Sequence, residues 1–252
     1  MQNGPDSELR HLKYSVVLKG SLPASGKVFT EARYICEDKA LSQLIEDSAV
    51  LQDGVVVSRR GVQSRAAFDR FTDSRKGFIA RSKTNIYFQH RRSLRRPRPV
   101  PTASLKVYSA EEGFLYKRHG KLTQHPYRLI KARLREGGTE LWLITNVMQE
   151  DAYTLAECYR RRWQIEVFFR FIKQHLSASH LVSRTENGIK VMIYMTLIVA
   201  ILLMAYKKRN GMASYKIAKL RFGLELENYI IQTIVKLCGG DPQKVPHLFN
   251  SS

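Results

Sequence analysis

The sequence predicts an α/β fold, a mixed sheet flanked by helices, because its pattern changes twice along the chain. In residues 1–84, short apolar runs typical of buried strands alternate with segments of helical spacing. Residues 85–148 carry short alternating runs bounded by turn residues, which indicates antiparallel strands. Residues 149–252 follow a helical period. We therefore expect a partial α/β core, then a β-rich insertion, then a helical remainder of the same domain.

The first segment contains four strand patterns and two helix patterns. The helix after Ser64 begins with a residue that suits an N-cap, because its hydroxyl can accept a hydrogen bond from the first turn. The strands are predicted to be buried at 14–20, 55–57 and 77–81, with a further strand at 26–33, and the helices lie at 37–48 and 65–71.

The second segment contains an arginine-rich stretch between its strand patterns. Residues 90–102 hold five Arg and three Pro, which predicts an exposed loop. We interpret the cluster from Arg91 to Arg98 as a candidate phosphate contact, because arginine contributes strongly to sequence-independent nucleic-acid affinity. The neighbouring strands are predicted at 104–108, 127–130 and 140–144.

The net charge of the chain limits the classes of partner that we expect it to bind. It has 42 Lys and Arg against 22 Asp and Glu, a net charge of +20 over 252 residues. Nucleic acid is the first candidate partner and an anionic membrane surface the second. The three cysteines are far apart and form no metal-binding motif, which fits a reducing compartment. We expect a cytoplasmic protein.

The third segment contains an uncharged apolar run at 191–206. A membrane span needs about 20 apolar residues, and this run is shorter. We favour a buried core helix near 189–207 and keep a membrane span as the alternative. Two shorter helices are predicted at 213–222 and 225–237, separated by Gly223.

The most informative pattern lies on a long helix predicted at 152–175. At 100° per residue, Tyr159, Arg162, Glu166 and Lys173 fall within about 60° of one another, so they form one polar stripe. Apolar residues occupy most of the remaining circumference, which predicts a buried helix. The stripe is either an ordinary ladder of i, i+4 ion pairs or a functional surface.

The spacing Tyr159-x2-Arg162-x3-Glu166-x6-Lys173 resembles the signature around the last acid of the DDE transposases of bacterial insertion sequences, specifically the IS-four family. Residues 12–20 and 77–83 resemble the same family. The resemblance implies an RNase H-like fold with a β insertion before the last acid.

The resemblance also implies a chemistry, which is phosphoryl transfer on DNA with two Mg²⁺ or Mn²⁺ ions held by two Asp and one Glu. Glu166 would be the third metal ligand. Tyr159, Arg162, Lys173 and Arg170 would face the phosphates of the transposon ends. The expected partners are therefore DNA and further copies of the chain or of an intact transposase, with no membrane.

The chain departs from the family pattern at the other two acids. Arg59 stands after the strand at 55–58 where the second Asp is expected, and Asp53 precedes that strand. The only candidate for the first acid, Asp6, lies in a turn context. We expect a transposase truncated at its start and catalytically impaired. Two alternatives remain: a non-catalytic DNA-binding remnant that interferes with intact transposase, and a membrane-attached basic protein.

Overall fold

A computed structural model of the chain consists of two compact units, one ending at Glu166 and one beginning at Val167. It describes residues 13–20, 22–48, 54–58, 62–94, 105–176 and 185–244. The segment boundaries predicted at 84/85 and 148/149 are not tested by this division and stay predictions.

The elements follow the predicted order, with strands first and helices last. The strands are β1 (Lys13–Lys19), β2 (Leu22–Phe29), β3 (Val55–Ser58), β4 (Gly77–Ser82), β5 (Phe88–Ser93), β6 (Leu105–Leu115), β7 (Tyr127–Leu134) and β8 (Glu140–Thr145). The helices are α1 (Glu37–Asp47), α2 (Arg65–Asp73), α3 (Ala152–Arg161), α4 (Trp163–His175), α5 (Glu186–Arg209) and α6 (Tyr215–Leu237).

The first unit is organised around a six-stranded mixed sheet of order β3-β4-β8-β7-β6-β5. Strands β3 and β4 are parallel, and every other neighbouring pair is antiparallel. Strands β1 and β2 form a separate antiparallel pair. Because β8 pairs with β4, the predicted β-rich segment continues the same sheet. The predicted α/β class with a mixed sheet and flanking helices is confirmed.

Alternate side chains of the strands pack on opposite faces of this sheet. Phe78 of β4 contacts the α2 side, where its ring stacks on Phe68 at a centroid distance of 4.6 Å. Ile79 belongs to the opposite cluster, together with Leu155 and Tyr159 of α3. The sheet therefore has helices on both faces, and each covers an apolar side that water would otherwise solvate.

Residues 55–57 form the predicted strand, but the prediction that this strand is buried is wrong. Strand β3 lies at an edge of the described sheet and pairs with β4 alone, and Val55 is 43% exposed. A run of Val residues suits any strand, and only the sheet order shows whether both of its sides are covered.

The long helix predicted at 152–175 is interrupted at Arg162. The Arg162 amide donates to the Tyr159 carbonyl at 3.1 Å and the Ile165 amide donates to the Arg162 carbonyl at 3.0 Å, both three residues back. This tighter turn separates α3 from α4. Both helices keep the 3.6-residue period, so the interruption leaves no trace in the hydrophobic pattern.

The predicted burial of α4 and the predicted break in α6 are also wrong. Trp163 and Val167 of α4 are 52% and 41% exposed, whereas Phe168, Phe171 and Ile172 are buried. Helix α6 runs through Gly223 without interruption. One glycine lowers the stability of a helix by about 1 kcal/mol relative to alanine. In a helix as long as α6, the other residues offset this loss.

The apolar helix α5 is longer and more exposed than predicted. Only 17% of its most apolar 18-residue window is buried, and Leu197, Ala200 and Leu203 form its buried side. By length and composition α5 could cross a membrane, but core helices of soluble proteins share both properties. The prediction of a buried core helix is therefore wrong for most of its surface.

Candidate functional site

Helix α3 is fixed at both of its ends. Its N-cap Asp151 accepts hydrogen bonds from the amides of Tyr153 and Thr154 at 2.7 and 3.4 Å. Its apolar side packs against β3, β6 and β7. At its last turn the Tyr159 side chain enters this core, and the residue is 5% exposed. The packing of α3 therefore fixes the position of the turn at Arg162 relative to the sheet.

That turn brings Tyr159, Arg162 and Glu166 together. The Arg162 guanidinium lies 5.5 Å from the centroid of the Tyr159 ring. Its Nη1 donates to Glu166 Oε1 at 2.9 Å, and the side chains of Arg162 and Glu166 are only 13% and 24% exposed. These three residues of the stripe are neighbours, although the Tyr159 side chain lies in the core, and Glu166 is engaged by an arginine one turn earlier. The predicted DNA-binding and metal-binding roles of the three residues stay predictions.

The other two predicted residues, Arg170 and Lys173, lie further along α4, beyond the boundary between the compact units. Both side chains are on exposed positions. The C-terminal end of α4 is held within the second unit, where the Phe171 ring lies 4.4 Å from that of Tyr215 and Lys219 donates to the His175 carbonyl at 2.8 Å. Their predicted roles are not tested by this geometry.

The described residues do not fit a two-metal centre. No group of three His, Cys, Asp or Glu side chains is close enough to hold a metal ion within the described ranges. The carboxylate of Glu166 faces the Arg162 guanidinium, which competes with a cation for the same oxygen. Arg59, Asp53 and Asp6 lie outside the described residues.

Asp69 is the most enclosed carboxylate near the sheet, and its role is structural. It is 3% exposed, lies on α2, and accepts from the Gln124 amide at 3.1 Å and from the Tyr127 hydroxyl at 2.8 Å. Lys117 forms an ion pair with it at 2.5 Å. These contacts tie α2 to the connection before β7, on the face of the sheet opposite α3.

Sequence reasoning missed a second charged cluster, which lies on β5 and β6. His90 to Ser93 belong to strand β5, so the predicted loop over 90–102 is wrong for these residues, and residues 95–104 lie outside the described part. Arg91 and Arg92 both bind Glu112 of β6. The available signal was the pair Glu111-Glu112 shortly after the strand predicted at 104–108. If that strand continues, as β6 does, the two glutamates face opposite sides of the sheet.

The mixed sheet with helices on both faces, and the acid Glu166 in the first turn of α4, are consistent with an α/β protein of the RNase H-like transposase class. A family described as the transposase DDE domain matches residues 30–202, which is more than half of the chain. The chain belongs to this family.

Three curated relatives are similar to parts of the chain. A probable transposase for insertion sequence element IS5377 from Geobacillus stearothermophilus is 30% identical over 147 residues, which are 56% of this chain and 38% of that protein. The protein named transposase y4zB from Sinorhizobium fredii is 32% identical over 34% of this chain and 24% of its own length. A protein named as the transposase of element IS4SA from Synechocystis is 34% identical over 27% of this chain and 20% of its own length.

The chain thus spans well under half of the length of these relatives. The predicted membership of the bacterial insertion-sequence DDE transposases is confirmed. The narrower assignment to the IS-four family stays a prediction.

Proposed function

We propose that this chain acts on DNA as a transposase-family protein whose phosphoryl-transfer step is impaired. The single observation that carries this proposal is the residue at the second acid position, where Arg59 follows β3 and the resemblance implies an Asp. Glu166, which matches the last acid of the family, is ion-paired with Arg162 at 2.9 Å.

The sheet topology supports the same proposal for the second acid. Strand β3 is parallel to β4 and β8 is antiparallel to it, so the end of β3 and the start of β8 share one end of the sheet. Helix α3 follows β8, packs on β3, and returns toward that end. Arg59 follows β3 directly in sequence, and a guanidinium beside a metal position would repel Mg²⁺.

DNA binding rests on charge and exposure. The family and its relatives are transposases, the chain carries a net charge of +20, and Arg170 and Lys173 occupy exposed positions of α4. Cations on an exposed helix can bind phosphates without a sequence-specific contact. We place the protein with bacterial DNA in the cytoplasm, and we expect its DNA partner to include transposon ends.

The alternative is a non-catalytic protein that interferes with an intact transposase by occupying its ends or joining its oligomers. The observation that favours it is the exposure of Arg170 and Lys173 on the same helix as the matching acid Glu166, because cations at exposed positions can contact DNA without catalysis. Adding the chain to a transposition reaction of an intact relative separates the two: interference lowers the yield in proportion to the amount added, and a K173A/R170A variant should interfere less.

Catalysis is tested by incubating the purified chain with supercoiled plasmid and Mg²⁺ or Mn²⁺. We expect no nicking above that of the matched Glu166→Gln variant. Nicking that depends on Glu166 would contradict the impaired step. An Arg59→Asp variant examines the second acid, and gain of Glu166-dependent nicking would show that Arg59 is a cause of the impairment.

DNA binding is tested separately by fluorescence anisotropy with a linear duplex. We expect the K173A/R170A variant to bind more weakly than K216A/R221A, a matched pair of exposed cations on α6 that removes the same charge. Equal affinities of the two variants would show that net charge alone governs binding and would refute a role of α4.

A further inference from the structure

Strand β5 forms the second edge of the described sheet and pairs with β6 alone. Its residues from Gln89 to Ser93 are all exposed. The side chains of Arg91 and Arg92 are 61% and 66% exposed although both form ion pairs. This edge therefore presents guanidinium groups to solvent along an extended strand.

Both arginines are held by one buried carboxylate. Glu112 of β6 has a side chain that is only 7% exposed, and Arg92 donates to its Oε2 from Nη2 at 2.6 Å and from Nε at 2.9 Å. Arg91 Nη1 donates to Oε1 at 3.4 Å. A buried carboxylate needs such partners, so the arginines and Glu112 constrain each other.

The register places a third arginine opposite Glu112. Glu112 is opposite Arg92 in the β5–β6 pair and opposite Arg128 in the β6–β7 pair. Arg128 is 7% exposed, and its Nη1 donates to the Glu150 carbonyl at 2.5 Å. Glu112 thus has an arginine opposite it on each neighbouring strand, and Arg91, at the bulge of β5, is a further partner of its carboxylate.

The sequence around β5 is strongly basic, and the neighbouring Glu111 of β6 is engaged by Lys131 and His90. Residues 74–110 contain ten Lys and Arg and no Asp or Glu. A guanidinium carries five N–H donors, and Glu112 receives two from Arg92 and one from Arg91. The arginines can therefore bind Glu112 and a second anion at the same time.

We propose that strand β5 is a second DNA-binding surface, on which Arg91 and Arg92 contact backbone phosphates and Glu112 is a positioning residue that sets their geometry. The proposal rests on the proposed function in taking DNA as the partner, and it extends binding to a surface outside the signature helices. The exposed residues of β5 are polar throughout, from Gln89 to Ser93, whereas membrane-surface segments add apolar side chains that enter the lipid.

The contact is tested by comparing R91Q/R92Q with R33Q/R133Q in the full chain. The control arginines are equally exposed, at 60% and 61%, and each is ion-paired with a glutamate. Affinity for a linear DNA duplex is measured by anisotropy across a series of salt concentrations. For two lost phosphate contacts we expect the slope of log K against log salt to fall by about 1.8, with a smaller change in the control.

Equal changes in both variants would overturn the proposal, because only net charge would then matter. If the unmodified chain does not bind the duplex, the proposed function fails, whereas binding that R91Q/R92Q leaves unchanged refutes the β5 surface alone. Stronger binding to phosphatidylserine vesicles than to the duplex, lost in R91Q/R92Q but not in R33Q/R133Q, would assign the surface to lipid and overturn the choice of DNA.

The positioning role of Glu112 has its own readout. The Glu112→Gln variant raises the net charge by one, so electrostatics alone predicts tighter DNA binding, whereas loss of positioning predicts weaker binding at an unchanged fold by circular dichroism. The R91K/R92K variant keeps the positive charges but lacks the planar guanidinium groups, which can donate two parallel hydrogen bonds to one anion. We expect its affinity for DNA to fall several-fold. Tighter DNA binding by Glu112→Gln would overturn the positioning role of Glu112. If Glu112→Gln does not fold, unchanged DNA affinity of R91K/R92K would overturn it instead.

Discussion

The guanidinium of Arg162 binds the carboxylate of Glu166 at 2.9 Å across the turn between α3 and α4. Glu166 matches the last acid of the family, and Arg162 lies four positions earlier in the chain. This contact is an ordinary i, i+4 ion pair in its geometry, and its consequence for function comes from where it lies, directly after a helix fixed to the sheet.

We expect the Arg162–Glu166 pair to contribute little to stability. Partly exposed i, i+4 pairs are worth about 0.3–0.5 kcal/mol because solvent screens the charges. A double-mutant cycle with Arg162→Met and Glu166→Gln, measured by urea unfolding, should give a coupling below about 1 kcal/mol. The pair Glu186–Lys190 on α5 is the matched control, with the same spacing and side chains 36% and 34% exposed. A much larger coupling in the first cycle would indicate a structural role for the turn.

We expect Asp69→Asn to lower the free energy of unfolding by about 2–4 kcal/mol, because a buried charged acceptor loses its ion pair with Lys117. Asp73→Asn is the control on the same helix. Its side chain is 54% exposed and pairs with His125, so the change should stay within about 0.5 kcal/mol. Equal losses in the two variants would contradict the enclosed position of Asp69.

The pH dependence of stability should follow the same carboxylate. Burial raises the pKa of Asp69, but hydrogen bonds from Lys117, the Gln124 amide, Tyr127 and the His125 amide outweigh it, and the pKa lies below its usual value. A group with a lowered pKa stabilises the fold above its unfolded pKa, near 3.8, and loses this contribution as the pH falls further. Urea unfolding between pH 6 and pH 3, at about one-unit steps, should show a smaller loss for Asp69→Asn than for the unmodified chain.

Lys76 closes the C-terminal end of α1. It is 8% exposed, and its Nζ donates to the carbonyls of Ile45 and Glu46 at 2.7 and 2.6 Å. Lys76→Met keeps the length of the side chain and leaves these carbonyls without the ammonium, so we expect a loss of about 1–3 kcal/mol. Lys39→Met, on an exposed position of α1, should change the thermal midpoint little. A loss from Lys39→Met as large as that from Lys76→Met would refute this capping role.

Two neighbouring leucines on α5 should respond differently to truncation. Leu203 is 1% exposed and Leu202 is 49% exposed. Leu203→Ala should cost about 2–5 kcal/mol through lost burial and a cavity, and Leu202→Ala less than about 1 kcal/mol. Chemical unfolding of both variants checks the difference. A large loss for Leu202→Ala would mean that the exposed side of α5 is covered in solution.

The order of the elements could be predicted from the sequence because each pattern is local. The Ser64 N-cap is an example: its hydroxyl accepts from the Ala67 amide at 3.2 Å, as the sequence predicts. The spacing from Tyr159 to Glu166 likewise predicts that these side chains are neighbours, and the Arg162 side chain contacts both Tyr159 and Glu166 across the turn between α3 and α4.

Burial could not be predicted in the same way. The apolar run at 191–206 and the Val run of β3 look like core segments, yet α5 is largely exposed and β3 lies at a sheet edge. An apolar composition shows that a segment has side chains that could be buried. Whether they are buried depends on which other elements pack against the segment in the fold.

The sequence by itself determined the α/β class, the family and the positions of the charged residues that family membership makes important. Only the tertiary structure decided that Asp69 is enclosed on the far face of the sheet and that Glu112 holds two arginines on an edge strand. The physical reason is that helix and strand periods are set by neighbours in the chain, whereas the partner of a buried charge is set by strand register and helix packing between distant segments.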